Sequence, residues 1–482
     1  MKTLFITTPY KSKLYRDVAR KVPATLPFLG VAYVAAMLEN DGSPVKILDA
    51  WGSNLSFKEI KKEIQAYQPD IIGITSTAAA FGVSVELAKQ IKSVFADITI
   101  VFGGPYVSTV FNQALKEIPW IDIIVIGEGE YTMLELSKGV SLREIKGIAY
   151  RDKGEVKVND PRPLIQDLDA LPFPSRHFYA PSNYHRPFYE LHGSPFASIV
   201  TSRGCPFKCR FCASHTVAGH QVRLRSIGNI VEEINMLLGV YKVKFISIAD
   251  DAPVFTMDKK RLGEFCSAIE GKGFFWGAKA RADSINRENL SMLAAAGCRV
   301  LEIGCESGNP DILQEWEKGV SVEQIKEAFR LMNEFGINSV AMFMLGAPNE
   351  TRETIRKTIK FAKGLGATYV VARIFYPYPG TDAYKDLYSR GMLKPRDWEE
   401  IRNPQKRDPV LRHPNLTTCE LRLPNLTFKE LLKLQRSMHV ECYLNPRYLF
   451  SFINKLKNTG SLGSCLRFLT GIIRFWFRWG LQ

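Results

Sequence analysis

Short apolar runs alternating with amphipathic segments constrain this chain most, because that rhythm dictates parallel sheets. The runs Leu4–Thr7, Val45–Leu48, Ile71–Ile74, Ile98–Phe102 and Ile121–Ile126 are near-continuously apolar, as strands covered on both faces are. Between them, Leu29–Asn40, Phe57–Tyr67, Val83–Phe95 and Asn112–Ile118 carry apolar residues at helical spacing. Parallel neighbours need a crossover, and a helix supplies it, so the pattern predicts an open, doubly wound α/β sheet. Such sheets bind ligands beyond the carboxyl ends of their strands.

A second series begins near Phe196, with strands predicted at Ala197–Thr201, Phe245–Ile248, Phe275–Ala280, Val300–Ile303, Ser339–Leu345 and Tyr369–Ile374. Helical patterns follow the first five, among them Ile227–Leu238 and Val322–Phe335. Six such units suit a partial parallel barrel whose working face is its carboxyl end. Between the two series Pro161, Pro163, Pro172, Pro174, Pro181 and Pro187 interrupt the rhythm and mark a linker. The expected division is therefore a doubly wound domain at 1–160, a linker at 161–190, a barrel at 191–390 and a mainly helical extension at 391–482, which includes Phe428–Leu444.

Two cores fit 482 residues better than one. The net charge of +15 favours an acidic partner: nucleic acid, an anionic membrane surface, or a phosphorylated or carboxylated substrate. None of the nine cysteines precedes Cys205, and three crowd into Cys205-Pro-Phe-Lys-Cys209-Arg-Phe-Cys212. This points to a reducing compartment and a metal site, not a disulfide framework. Met1–Pro9 reads as a strand and not as a secretory leader, and no apolar run reaches spanning length. The expected location is cytoplasmic.

Three close thiolates can hold three corners of an iron–sulfur cubane and leave the fourth iron open. Zinc is the alternative, with His215 or His220 as a fourth ligand. The C-x-x-x-C-x-x-C spacing, with Phe211 before the last cysteine, resembles the radical S-adenosylmethionine (SAM) superfamily. That resemblance implies a [4Fe-4S] cluster on Cys205, Cys209 and Cys212, and SAM chelating the open iron. One electron would then cleave SAM to a 5′-deoxyadenosyl radical. Polar residues follow the later strands: Asp250 and Asp251 where the family binds the SAM amino group, Arg281 suited to a carboxylate, then Gly304, Glu306 and Ser307, with Glu306 facing ribose, then Gly346.

The first domain resembles the Rossmann-like cobalamin-binding domains fused to one branch of that superfamily. Pro27-Phe-Leu-Gly30, Gly103-Gly104-Pro105 and Gly127-Glu128-Gly129-Glu130 carry the likeness. Many cobalamin domains offer cobalt a histidine after the second strand, but here Asp49-Ala50-Trp51-Gly52-Ser53 stands there, and the first histidine is His177. The lower face would then be open, or faced by another group near Thr75, Ser76 and Thr77. The resemblance implies methylation of an unactivated carbon, or ring closure as in anaerobic porphyrin cyclases. A cobalamin or cluster carrier, or a sensor, is the non-enzymatic rival. Expected partners are a small-molecule or lipid substrate and a reduced flavodoxin or ferredoxin. The extra amino-terminal cysteine cluster of tRNA methylthiotransferases is missing, which argues against nucleic acid. Leu466–Gly480, basic and aromatic with no acid, would form an amphipathic helix touching the inner membrane face, the barrel or a dimer face.

Overall fold

The computed structural model describes residues 1–9, 26–184, 195–253, 258–395, 419–445 and 448. The expected tail helix at Leu466–Gly480 and the linker's Pro187 lie outside these residues.

Strands β1 (Thr3–Thr7), β2 (Val45–Leu48), β3 (Ile71–Thr75), β4 (Thr99–Gly103), β5 (Ile123–Val125), β6 (Ile148–Asp152) and β7 (Glu155–Val158) form one sheet in the order β2-β1-β3-β4-β5-β6-β7. The first five are parallel, and β6 and β7 add an antiparallel edge. Helices α1 (Leu29–Asn40), α2 (Phe57–Tyr67), α3 (Phe81–Lys92), α4 (Val107–Glu117) and α5 (Glu130–Ser137) cover it. Ser56 caps α2 through a capping box with Glu59, which satisfies backbone donors the helix cannot. The sequence reading lacked the β6–β7 hairpin. Its turn has Lys153 at φ 48° and Gly154 at φ 88°, the left-handed pair a two-residue hairpin needs.

The barrel strands are β8 (Phe196–Ile199), β11 (Phe245–Ile248), β12 (Phe275–Ala280), β13 (Cys298–Glu306), β14 (Asn338–Leu345) and β15 (Tyr369–Ile374), in the order β15-β14-β13-β12-β11-β8 and all parallel. A small ribbon, β9 (Ser202–Arg203) with β10 (Arg223–Leu224), closes the base of the cysteine loop. Helices α6 (His215–Ala218), α7 (Ile227–Gly239), α8 (Lys259–Ile269), α9 (Arg287–Ala295), α10 (Pro310–Glu315), α11 (Val322–Glu334), α12 (Arg352–Gly364) and α13 (Asp382–Ser389) follow in order. Strands β16 (Leu393–Pro395) and β17 (Cys419–Leu421) pair ahead of α14 (Phe428–Tyr443).

Alternation sorts the barrel strands into two faces. Ile246, Trp276, Ala278, Leu301, Ile303, Ala341, Phe343, Val370 and Ala372 join the helices in one buried cluster. The opposite face lines the lumen, where Phe245, Val300, Val340 and Tyr369 are buried. Nearer the carboxyl end, Met342, Met344 and Val371 are only half-buried, and Lys279 and Arg373 are exposed. The lumen is plugged at one end and open at the other.

The edge of β15 is covered by side chains. His439 Nε2 accepts from the Ala372 N–H at 3.2 Å, and Gln435 donates to the Ala372 carbonyl at 2.8 Å. Tyr443 bonds both backbone groups of Val370, and Tyr448 donates to the Thr368 carbonyl. An open edge strand is thereby paired without another strand.

Candidate functional site

The carboxyl ends of the two sheets face each other across a cavity of about 500 Å³. Phe5, Gly73, Thr75, Gly103, Gly104 and Gly127 line it from one side, and Val200, Ser202, Arg203, Ala249 and Asp251 from the other. Pro27, Phe28, Leu29 and Gly30 complete the wall. Glycine is required at Gly104, where φ is +108° and a Cβ would sit 3.0 Å from the Ser76 carbonyl oxygen. Gly127 has φ +83° and open space where a side chain would be. The bare-backbone floor fits a broad, rigid ligand such as a corrin.

Two carboxylates beside the cavity tie the sheets together. Glu128 accepts from Arg203 at 3.0 Å and from Arg223 at 2.9 Å, and Glu130 accepts from Arg203 at 2.6 Å. The Ile165 N–H also donates to Glu128. Glu130, Arg223 and the Glu128 side chain are buried, so each charge relies on its partner for the solvation it has lost. A second buried group joins Arg176 and Arg225 to Glu233, at 2.6 and 2.5 Å.

The cysteine loop runs between β9 and β10. Cys205, Cys209 and Cys212 are half-buried free thiols. Burial pushes the Cys205 thiol up; it does the same at Cys209, where the nearby Lys318 opposes it. No three His, Cys, Asp or Glu side chains among the described residues converge as ligands of a single ion would. A cubane spreads its thiolates over separate irons and needs no such convergence. His215 and His220 stack on each other with centroids 4.9 Å apart, and His220 Nδ1 lies 3.2 Å from the Cys205 carbonyl. The loop is braced: Phe211 meets Trp316 edge-on at 5.5 Å, and the Arg210 N–H donates to the Trp316 carbonyl.

The strand-end residues divide by what they touch. Asp251 opens into the cavity, and desolvation raises its pKa against the lowering effect of Lys279. Asp250 is instead consumed: its carboxylate accepts from the Thr201 N–H at 2.6 Å, from the Thr201 hydroxyl and from the Ser202 hydroxyl at 2.8 Å. It fixes the end of β8 just before the cysteine loop. Arg281 pairs with Asp283 at 2.9 Å and lies 3.9 Å over the Phe207 ring of that loop. Glu306 pairs with Lys318 at 3.0 Å. Its φ of 58° follows a bulge between Gly304 and Glu306, and a Cβ on Gly304 would meet the Glu306 carboxylate at 2.6 Å.

Several expected ligand residues point elsewhere. Ser307 is fully buried and bonds Thr358 at 3.0 Å. Gly346 lies under Leu431 of α14, and its N–H donates to Glu350. Asp49 accepts from Thr7, from the Gly52 N–H and, at 2.7 Å, from Tyr184, so it anchors the linker. Ser76 is buried against Ser84, and Glu128 reaches the cavity only as part of its ion pairs. The sequence reading missed Lys318, Arg203 and Arg223. Arg203 stands two positions before Cys205, a signal that was there to be read.

Residues 199–362 match the sequence profile of the radical SAM superfamily, and residues 15–137 match that of the B12 binding domain. The chain belongs to the cobalamin-binding branch of the radical SAM enzymes. An uncharacterized methyltransferase of Pyrococcus horikoshii is 35% identical over 94% of this chain and 95% of its own length. The anaerobic magnesium-protoporphyrin IX monomethyl ester cyclase of Rubrivivax gelatinosus is 31% identical over 80% of this chain and 70% of its own. The fold is also that of the radical SAM methyltransferase TsrM from Kitasatospora setae, solved with cobalamin and a [4Fe-4S] cluster bound: TM-score 0.70, 19% identity, 93% of this chain and 90% of that one. Among the described residues no helix is long and apolar enough to cross a membrane.

Proposed function

We propose that this chain is a cobalamin-dependent radical SAM methyltransferase acting on an unactivated carbon. The observation that carries the reading is a cavity lined from the carboxyl ends of both sheets, with Arg203 of its wall two residues from Cys205. Two cofactors that must act on one substrate need such a shared space. The match along 95% of a methyltransferase relative supports methyl transfer. The likeness to the porphyrin cyclase keeps ring closure as the second reading.

When bound, the cluster would supply the electron that cleaves SAM to methionine and a 5′-deoxyadenosyl radical, and cobalamin would carry the methyl group. Cys205, Cys209 and Cys212 would hold the cluster, and the Lys318 ammonium offsets the thiolate charge at Cys209. Asp251 offers a carboxylate to the SAM amino group from the cavity wall. Gly103, Gly104 and Gly127 let a corrin approach the backbone, with Thr75 and Thr77 on the wall beside them. The proposed division is a cobalamin domain at 1–160 and a SAM barrel at 191–390, joined by the linker that Asp49 and Glu233 pin down. A reduced flavodoxin or ferredoxin would supply electrons to a cytoplasmic enzyme, and the substrate would be a small molecule or lipid. Deleting Leu466–Gln482 should release the chain from anionic liposomes, and unchanged partitioning would remove the membrane contact.

The test is anaerobic reconstitution with iron, sulfide and hydroxocobalamin, then reductant and methyl-labelled SAM. Formation of both 5′-deoxyadenosine and S-adenosylhomocysteine is expected. 5′-Deoxyadenosine alone would turn the reading to cyclisation, and the absence of both products would overturn it.

A further inference from the structure

Arg373 occupies an unusual position for a charge. It lies in β15, the last strand of the barrel sheet. Its neighbours Ala372 and Ile374 are buried in the helix-side cluster, so alternation turns Arg373 to the lumen. There it is exposed, beside the half-buried Met344 that pairs with it in register. No hydrogen bond or ion pair joins it to another described residue, whereas the other strand-end cations are engaged: Arg281 by Asp283, Lys279 by the Asp250 carbonyl. Of the acids near this end, Glu306 is committed to Lys318 and Asp250 to Thr201 and Ser202, while Asp251 opens into the cavity between the sheets.

The surroundings give the position a ligand chemistry. Met342, Met344 and Val371 form a half-buried apolar wall on the same lumen face. Tyr378, 41% exposed, stands close enough for the Arg373 charge to be felt at its hydroxyl. A guanidinium on an apolar wall gains little from water-exposed methionines, and it gains most from an oxyanion that takes its paired N–H groups.

We propose that the substrate is an anion with an apolar body, that it extends from the cavity between the sheets into the open lumen, and that Arg373 binds its carboxylate or phosphate group. Met342, Met344 and Val371 take the apolar body, and Tyr378 offers a hydroxyl beside the charge. This deepens the function proposed above and rests on it for the word substrate. The anionic pocket itself needs no cofactor and is tested without one.

The experiment uses the full chain and two fluorescent probes of similar shape, anionic 1-anilinonaphthalene-8-sulfonate and neutral N-phenyl-1-naphthylamine. Arg373→Gln should weaken the anionic probe by roughly ten- to hundredfold, the range of one charge-assisted hydrogen-bonded contact, and leave the neutral probe within about twofold. Arg373→Lys should recover part of the loss. Equal binding of the anionic probe by wild type and Arg373→Gln overturns the proposal. So does a parallel loss of both probes in both variants, which would make Arg373 a prop of the fold. Production of 5′-deoxyadenosine by the reconstituted wild type is scored separately: its absence sinks the enzymatic reading and leaves the probe result standing.

Discussion

Lys318 and Glu306 meet beside Cys209 with side chains 11% and 12% exposed. Neither charge is comfortable alone there, because desolvation opposes each and only the partner offsets it. Lys318→Met should therefore cost about 3 kcal/mol or more in urea unfolding, and Glu306→Gln added to it should restore part of that loss. SAM cleavage by Lys318→Met should fall roughly ten- to hundredfold, as when an outer partner of a metal ligand is removed. If the double variant is no more stable than the single, the pair is not what fixes Lys318. This pair shows where sequence reading stops. Glu306 was legible as a polar strand end, but its partner lies 12 residues further along the chain. Asp250 and Asp251 are adjacent in sequence, yet one braces β8 and the other faces the cavity. Only the packed backbone decides that.

The elements were more legible, for a physical reason. Strands of parallel sheets are mostly apolar, so β2, β11, β12 and β15 stood out at their observed bounds although Lys46, Lys279 and Arg373 interrupt them. The antiparallel pieces obey no such rule: β7 is largely exposed and charged, and β9 and β10 are two residues each. Helix α14 carries a consequence of its own. Burial lowers His439 from 6.5 to about 4 while it accepts from the edge of β15. Burial also raises Glu350, under the same helix, from 4.5 to about 7. The signs oppose. The His439 contribution is complete above pH 6.5 and is lost as pH falls towards 4. The Glu350 contribution is complete below pH 4.5 and is lost as pH rises through 7. Each is worth at most about 3 kcal/mol, less where solvent reaches the half-buried His439 ring. Wild-type stability should therefore vary little between pH 4.5 and 6.5 on their account. His439→Gln should show stability falling as pH rises, and Glu350→Gln stability rising with pH, by chemical denaturation at several pH values. Parallel profiles in all three proteins would remove the assignment.

Across the whole molecule, the two sheets share more than a cavity. One buried cluster runs from Leu4, Ile74 and Phe102 through Tyr106 to Trp316, Phe375 and Leu393, and the Glu128–Arg203–Glu130 clamp crosses the same boundary. Calorimetry should show one cooperative unfolding transition. Glu128→Ala with Glu130→Ala strands Arg203, and it should cost about 3 to 5 kcal/mol and separate the melting of the halves. A single unshifted transition would mean that the apolar contact alone couples them.

The clamp also has a history within each molecule. Glu128 leaves the ribosome 95 residues before Arg223, an interval of roughly 5 to 20 s at ordinary synthesis rates. Through the first 75 residues of that interval, until Arg203 emerges, the first sheet exists with carboxylates at its ligand-facing rim and neither clamp cation to neutralise them. The nascent half can collapse, but it cannot bury that rim. Its final form waits for the segment that also carries Cys205, Cys209 and Cys212, so the birth of the cobalamin side is timed by the birth of the cluster loop.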